Sequence, residues 1–525
     1  MGEAVQTFGE LLREHAARRP EHPALVSGER SWSYAELFSE ATRVASALRA
    51  EGVGPQQRIG FLGKNCPEYF SAFFGAALAR AVLVGVNWRL APREMEYVLN
   101  DAQAQLLLVE AEFLGHVAQM KLDSVRRVIA IGDAPRPPDF AQWIGAHAPL
   151  DPGPAALPDD TCIQLYTSGT TGFPKGVEIS HANLFAALAA GRAAWALAPE
   201  TVSLVAMPLF HIGGSGWALA GFHAGVTNVL LREVDPAQIL RAISRQRVTA
   251  AFLVPAALQL LLAAPALAQS DVSSLEMLTY GASPISEEVL VRAMRALRCD
   301  FVQVYGLTET SGAITALAPE DHDPGGPRAG LLRSAGRPWG DVELRIADPA
   351  TGRALAEGEV GEVWCRSRQN LKGYWRNAEA TSEVFPEGRD AAGLGWFRTG
   401  DAGYLRDGYL FIHDRVKDMI VSGGENVYPA EVENALMGHP EVADCAVIGV
   451  PHERWGETVK AIVVPRAGSA PEAAELIAWC RERLAHFKCP TSVDRAESIP
   501  RNPSGKILKT ELRKPYWAGR TRQVN

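Results

Sequence analysis

Short apolar runs recur through the first third of the chain, each followed by a longer small-residue or amphipathic segment. Arg58–Leu62 (RIGFL), Ala81–Val86 (AVLVGV), Gln105–Glu110 (QLLLVE) and Arg127–Gly132 (RVIAIG) read as buried strands. Between the first two, PEYFSAFFGAALA opens on Pro67, a residue that fits the first turn of a helix. Nearly continuous apolar strands alternating with helices predict parallel sheets covered on both faces. The proline-rich stretch Pro149–Pro158 reads as a turn-rich link into the strand CIQLYTS. From Gly340 the pattern changes: VELRIAD, GEVGEVWCRS and GYLFIHD are strand-like pieces cut by Gly, Pro and acidic turns, which predicts a smaller β-rich layer. After Asp414 it changes again. PAEVENALMGHP reads as a helix, and CAVIGV and VKAIVVPR as strands. AELIAWCRERLAHF reads as a helix with Leu476, Ile477, Cys480, Leu484 and Phe487 on its apolar face. The expected fold class is α/β. A large N-terminal domain, residues 1–414, carries parallel-sheet subdomains and the β-rich layer, and a small α/β C-terminal domain covers 415–525.

The longest apolar stretch, Ala250–Ala268, raises the question of a membrane span. Pro255, Gln259 and Pro265 interrupt it, so a buried strand end followed by a core helix is the simpler reading. Peripheral membrane contact stays open. Composition narrows the rest. In 525 residues, 52 basic and 60 acidic side chains leave a formal charge of -8, which argues against nucleic-acid binding through bulk charge. The 7 cysteines form no CxxC pair, so neither a disulfide scaffold nor a thiolate zinc site is expected. Buried thiols in a reducing compartment fit better. The N-terminus lacks the apolar run of a secretory signal, and a cytoplasmic location is expected.

The strongest local signal is Tyr166–Gly176, YTSGTTGFPKG, after an apolar strand. Gly169 and Gly172 allow close backbone approach, and Thr167, Ser168, Thr170 and Thr171 carry hydroxyls. Lys175 adds positive charge. The set suits a polyphosphate held by backbone N–H groups and hydroxyls, although a surface loop of polar turn residues has the same composition. The GK[ST] ending of a Walker A loop is absent.

This loop resembles the signature of the acyl-adenylating enzymes: acyl-CoA synthetases, peptide-synthetase adenylation domains and beetle luciferases. Four further segments match that family in its order: YGLTE (Tyr305–Glu309), GWFRTGD (Gly395–Asp401), DRVKDMIVSGGENVYPAEVE (Asp414–Glu433) and PRNPSGKILK (Pro500–Lys509). The resemblance implies ATP, Mg²⁺ and coenzyme A as reactants and a C-terminal domain that moves between two half-reactions.

Read as residues alone, YGLTE offers a ring, a hydroxyl and a carboxylate suited to a magnesium ion. The resemblance implies that Tyr305 lies against adenine beside Gly306, that Thr308 contacts phosphate and that Glu309 binds Mg²⁺. It further implies that Gly281, Ala282 and Ser283 line the adenine and acyl pockets. By the same resemblance Asp401 grips the ribose, Arg415 contacts ribose or phosphate, and Lys506 bridges the substrate carboxylate and the α-phosphate. Lys175 and Mg²⁺ share the developing negative charge with Lys506. Lys417 occupies the hinge position, and Gly423 and Gly424 belong to the loop that serves the thiol step, where small residues leave room for a pantetheine arm.

Met207–Val226, MPLFHIGGSGWALAGFHAGV, is apolar and glycine-rich. His211 is a candidate base, but a neutral imidazole in the wall of an acyl pocket is the preferred reading, with Trp217 beside it. No charged residue marks an amino or dicarboxylic acid, which favours an apolar monocarboxylic acid. The C-terminal motifs look most like bacterial fatty-acyl-CoA synthetases, so fatty acids lead. Aryl acids of benzoate or cinnamate type are the alternative, and a non-catalytic nucleotide sensor is a third reading. A carrier-protein acceptor and a homodimer stay open.

Overall fold

The computed structural model describes residues 5–132, 139–153, 155–167, 174–415, 418–422, 425–501 and 507–518. Strand and helix positions follow the apolar pattern closely. Arg58–Leu62 is a fully buried strand and Pro67–Ala79 a helix with Pro67 in its first turn. Val82–Val86, Leu106–Glu110 and Arg127–Ile131 are the next strands.

Among the described residues the strands form four sheets. One is ordered Gly373–Tyr374, Lys175–Ser180, Thr161–Thr167, Val82–Val86, Arg58–Leu62, Leu106–Glu110, Arg127–Ile131. The five strands from Thr161–Thr167 onward pair in parallel, and only Lys175–Ser180 and Gly373–Tyr374 run against their neighbours. A second, nine-stranded sheet runs from Arg337–Pro338 through Gly312–Leu317, Asp300–Leu307, Met277–Gly281 and Ala250–Leu253 to the N-terminal hairpin Pro23–Ser33.

Two helices lie between these sheets. Pro67–Ala79 is buried at every position from Tyr69 to Ala79, and Ile212–Ala224 is buried over most of its length. A helix that is apolar all round belongs in a core. Phe222 of the second meets Phe70 and Phe74 of the first, with ring centroids 5.0 and 5.1 Å apart. The Ala250–Ala268 stretch divides into a buried strand, Ala250–Leu253, a helix, Pro255–Ala263, and a short 3-10 turn. Among the described residues no helix is long and apolar enough to cross a membrane.

The predicted β-rich layer is an antiparallel sheet of Glu343–Ala347, Gly361–Arg366, Phe397–Arg406 and Tyr409–Arg415. Beyond it the chain builds a separate core around Val432, Leu436, Val447, Val459, Leu476 and Cys480. The helix expected over 474–487 is shorter, Ala473–Arg481. The chain turns after it, so Leu484 packs on this core while Phe487 stays 42% exposed, outside the face that periodicity assigned to it. All seven cysteines are free thiols, six of them buried.

Arg58 shows how the first sheet tolerates charge in its interior. Its guanidinium bonds Glu178 at 2.6 Å and Gln164 at 3.1 Å, and lies 3.3 Å from the Trp375 ring centroid. Burial pulls its pKa down and Glu178 opposes the shift. Removing one partner of a buried pair leaves the other uncompensated. Arg58→Ala is therefore expected to destabilise the large domain by about 3–5 kcal/mol, read as a lower denaturant midpoint. The double variant Arg58→Met, Glu178→Leu should recover most of that loss; an equal loss in the double variant would show that packing, not charge compensation, sets the cost.

Candidate active site

The C-terminal ends of the two large sheets face the same region, and the motif residues gather there. Thr167 ends one strand and Lys175 begins its antiparallel neighbour, and the two are register partners. This pairing fixes the ends of the predicted phosphate loop. Ser168, Gly169, Thr170, Thr171 and Gly172 lie outside the described residues.

Glu309 sits in the 3-10 turn Thr308–Thr310 that follows the strand Asp300–Leu307. Its carboxylate Oε1 accepts bonds from Thr167 Oγ1 at 3.0 Å and from the Tyr374 hydroxyl at 3.2 Å. Oε2 has no hydrogen-bond partner among the described residues. Lys175 Nζ lies 5.3 Å from the Tyr374 ring centroid. One carboxylate, one hydroxyl and one ammonium thus converge where the sequence placed phosphate and magnesium. The turn is held from behind by Gln369, whose fully buried amide donates to Thr310 O at 2.8 Å and to Ala313 O at 2.6 Å.

Gly281 ends a strand opposite Val304, where a Cβ would stand 2.1 Å from the Val304 carbonyl oxygen. Only glycine fits that approach. Ala282 follows with φ +68°, turning the chain and leaving Ser283 half-buried at the edge. Gly306 occupies a bulge beside Gly312, and its Cβ would lie 1.9 Å from the Gly312 oxygen. Tyr305 donates its hydroxyl to Asp401 Oδ2 at 2.8 Å. Asp401 is 7% exposed, its own N–H bonds Thr399 Oγ1 at 3.1 Å, and it is the register partner of Arg415. The Arg415 side chain, Lys417, Gly423, Gly424 and Lys506 lie outside the described residues. On either side of residues 502–506, which lie outside the described residues, Arg501 pairs with Ile507, and Arg501 also bonds Asp444 at 2.8 Å.

His211 caps the helix Ile212–Ala224, with its ring 4.6 Å from that of Phe210. Its Nε2 is shielded from solvent and has no hydrogen-bond partner among the described residues. Burial, reinforced by the Arg89 charge, pushes its pKa down to about 4, so the imidazole is neutral at ordinary pH. Trp217, six positions further on, is buried and donates its indole N–H to Leu204 O at 3.0 Å.

Sequence reasoning missed Tyr374 and Gln369. Tyr374 carried a weak signal, an aromatic after glycine in LKGYW. Gln369 carried none, since its role depends on two carbonyls brought to it by the fold.

Residues 12–375 match the family model described as AMP-binding enzyme, and residues 431–506 match its C-terminal domain. The chain belongs to the AMP-binding enzyme family. It is similar to the fatty acid–[acyl-carrier-protein] ligase ScoC of Streptomyces coeruleorubidus, 41% identical over 99% of this chain and 98% of that one. It is similar to a feruloyl-CoA synthase of an Amycolatopsis species, 39% identical over 97% of this chain and 99% of the relative. Its fold matches the solved anthranilate CoA ligase AuaEII in complex with anthranoyl-AMP, with TM-score 0.87, 28% identity and 97% of both chains covered. As a member of the AMP-binding enzyme family the chain is an AMP-forming acid–CoA ligase that works through an acyl-adenylate, and it uses ATP and coenzyme A.

General-base catalysis contributes about 10²–10⁴-fold to a rate. The His211 environment holds a neutral, unpartnered imidazole, so His211→Phe is expected to lower the adenylation kcat by less than about tenfold and to act chiefly on KM for the acid. Pyrophosphate-exchange kinetics measure both, and a kcat loss inside the general-base range would return His211 to the chemistry.

Proposed function

We propose that the acid is an aryl monocarboxylic acid of benzoate or cinnamate type, which this chain joins to coenzyme A. The observation that carries the reading is the make-up of the helix start after His211 and of its neighbours. Gly213 faces the Phe252 ring, where a Cβ would stand 3.1 Å away, and Phe252 in turn lies 6.1 Å from Trp217 at an interplanar angle of 34°. Gly312 approaches Ile212 from the nine-stranded sheet, with a would-be Cβ at 3.9 Å. These are flat, uncharged faces of glycine, aliphatic and aromatic groups, and they suit a planar ring. Two of the three relatives named above have aromatic acids in their names, against one fatty acid. That balance favours the aryl alternative over the fatty acids that the C-terminal motifs had put first.

In the first half-reaction a carboxylate oxygen attacks the α-phosphorus of ATP, the bond to the pyrophosphate oxygen breaks, and pyrophosphate leaves. In the second the coenzyme A sulfur attacks the acyl carbon, the bond to the AMP oxygen breaks, and the thiol proton is released. In our reading Thr167, the 168–172 loop, Lys175 and Thr308 hold the phosphates. Tyr305, with Gly281, Ala282, Ser283 and Gly306, bounds the adenine. Asp401 takes the ribose with Arg415 opposite, and Lys506 meets the carboxylate and α-phosphate together. The unengaged Glu309 Oε2 and the Thr167 hydroxyl are hard oxygen donors that fit Mg²⁺. Bound there, the ion neutralises phosphate charge. We place the domain boundary at 414/415 and the pivot at Lys417, with Gly423 and Gly424 giving the pantetheine arm its passage.

The substrate reading is tested with purified protein, MgATP, coenzyme A and a panel of benzoate, 4-coumarate, octanoate and palmitate, with thioester and AMP quantified by mass spectrometry. We expect kcat/KM for an aryl acid to exceed that for palmitate by about tenfold or more; the reverse order restores the fatty-acid reading. Adenylate without thioester points to another acceptor, such as a carrier protein. The charge reading is tested by Glu309→Gln, expected to lower the adenylation kcat by about 10²–10³-fold with little change in melting temperature. A kcat close to wild type would remove Glu309 from the site.

A further inference from the structure

We propose that Gln369 and Tyr374 are positioning residues for the adenylation half-reaction: together they set the Glu309 carboxylate against the strand that begins at Lys175. The proposal rests on the reading above that places Glu309 and Lys175 at the phosphates.

The segment from Gln369 to Trp375 touches both halves of that arrangement. On one side it grips the Glu309 turn. The Leu371 N–H donates to Glu309 O at 2.7 Å, and the Gln369 amide to Thr310 O at 2.8 Å and Ala313 O at 2.6 Å. The Tyr374 hydroxyl donates to Glu309 Oε1 at 3.2 Å. On the other side it is the edge strand beside Lys175–Ser180. Gly373 and Tyr374 are register partners of Glu178 and Val177. The Lys372 and Trp375 N–H groups donate to Glu178 O at 2.9 Å and to Gly176 O at 2.7 Å. Trp375 anchors the far end, with its indole N–H on Asp101 O at 3.0 Å and its ring against the Arg58 guanidinium. One short segment thus carries a carboxylate from one sheet and the lysine strand of the other as a unit.

The turn needs such a grip. Ser311 has φ +52° and Gly312 φ +112°, and a serine stays in the left-handed region only where its surroundings hold it there. The carbonyls that Gln369 takes lie on either side of this pair. A primary amide has two N–H donors on one nitrogen, and that nitrogen serves both oxygens. A carboxylate of the same shape would set oxygen against oxygen. Gln369 therefore fixes where the turn sits, and Tyr374 fixes which way its carboxylate points.

The test uses the full-length enzyme with Gln369→Met and Tyr374→Phe, each alone and combined with Glu309→Gln. Pyrophosphate exchange reads adenylation, and thioester formation from supplied acyl-adenylate and coenzyme A reads the second half-reaction. Electron paramagnetic resonance reads Mn²⁺ affinity in the presence of a non-hydrolysable ATP analogue, with melting temperature followed throughout. Gln369→Met is expected to lower the adenylation kcat and the Mn²⁺ affinity by about tenfold or more, and to leave the second half-reaction within about threefold of wild type. An equal loss in both half-reactions marks a general disturbance and overturns the proposal. So does an unchanged adenylation rate or Mn²⁺ affinity in a folded variant. Tyr374→Phe keeps the ring and removes one hydrogen bond, so it carries the same test where Gln369→Met fails to fold, with an expected loss in adenylation of about three- to tenfold. In the Glu309→Gln background either substitution should cost little more, because both act through one carboxylate. Additive losses overturn the positioning role and leave the Glu309 reading intact; a wild-type rate in Glu309→Gln alone overturns both.

Discussion

The Glu309 carboxylate is the point on which the site depends. It receives Thr167 from the end of one sheet and Tyr374 from that sheet's edge strand, while its own turn grows out of a strand of the other sheet. Two sheets that share one hydrophobic core are therefore also joined by hydrogen bonds to one oxygen atom. Bonds to a charged acceptor are stronger and more directional than neutral ones, which suits a joint that must hold geometry. The carboxylate's second oxygen has no hydrogen-bond partner among the described residues, so the joint uses only half of the carboxylate.

Around that joint the architecture divides labour by rigidity. The Pro67–Ala79 and Ile212–Ala224 helices are buried between the sheets, and aromatic contacts such as Phe222 with Phe70 and Phe74 fix their spacing. The proposed acyl wall is built on the second of these helices, so its shape would be inherited from the core and not from a surface loop. Buried rings in a close-packed interior do not adjust to a ligand. On the proposed reading the acyl wall is preformed, while the loop proposed to hold the phosphates has its ends fixed by the register pair Thr167 and Lys175.

Much of this was legible in the sequence because the cause was local. Continuous apolar runs marked the parallel strands, and the Gly-rich breaks marked the antiparallel layer, since each pattern is imposed by its own neighbours. Tyr305, Glu309, Thr167, Lys175 and Asp401 were visible because they sit in motifs. Phe487 was misassigned because helical spacing persists in sequence after the helix itself has ended at Arg481. Gln369 was invisible for a different reason. Its partners lie tens of positions away, and only the fold brings Thr310 and Ala313 to it.

The Arg466–Glu288 ion pair joins the C-terminal unit to the large domain at 3.1 Å, with both side chains about 40% exposed. A contact so open to water contributes little and is weakened by salt. Glu288 also has an alternative cation on its own helix, Arg292, at 3.6 Å. Without Arg466 the Glu288 carboxylate would still have Arg292 within reach. At this contact, then, the two units are held by a clasp whose loss would strand no charge.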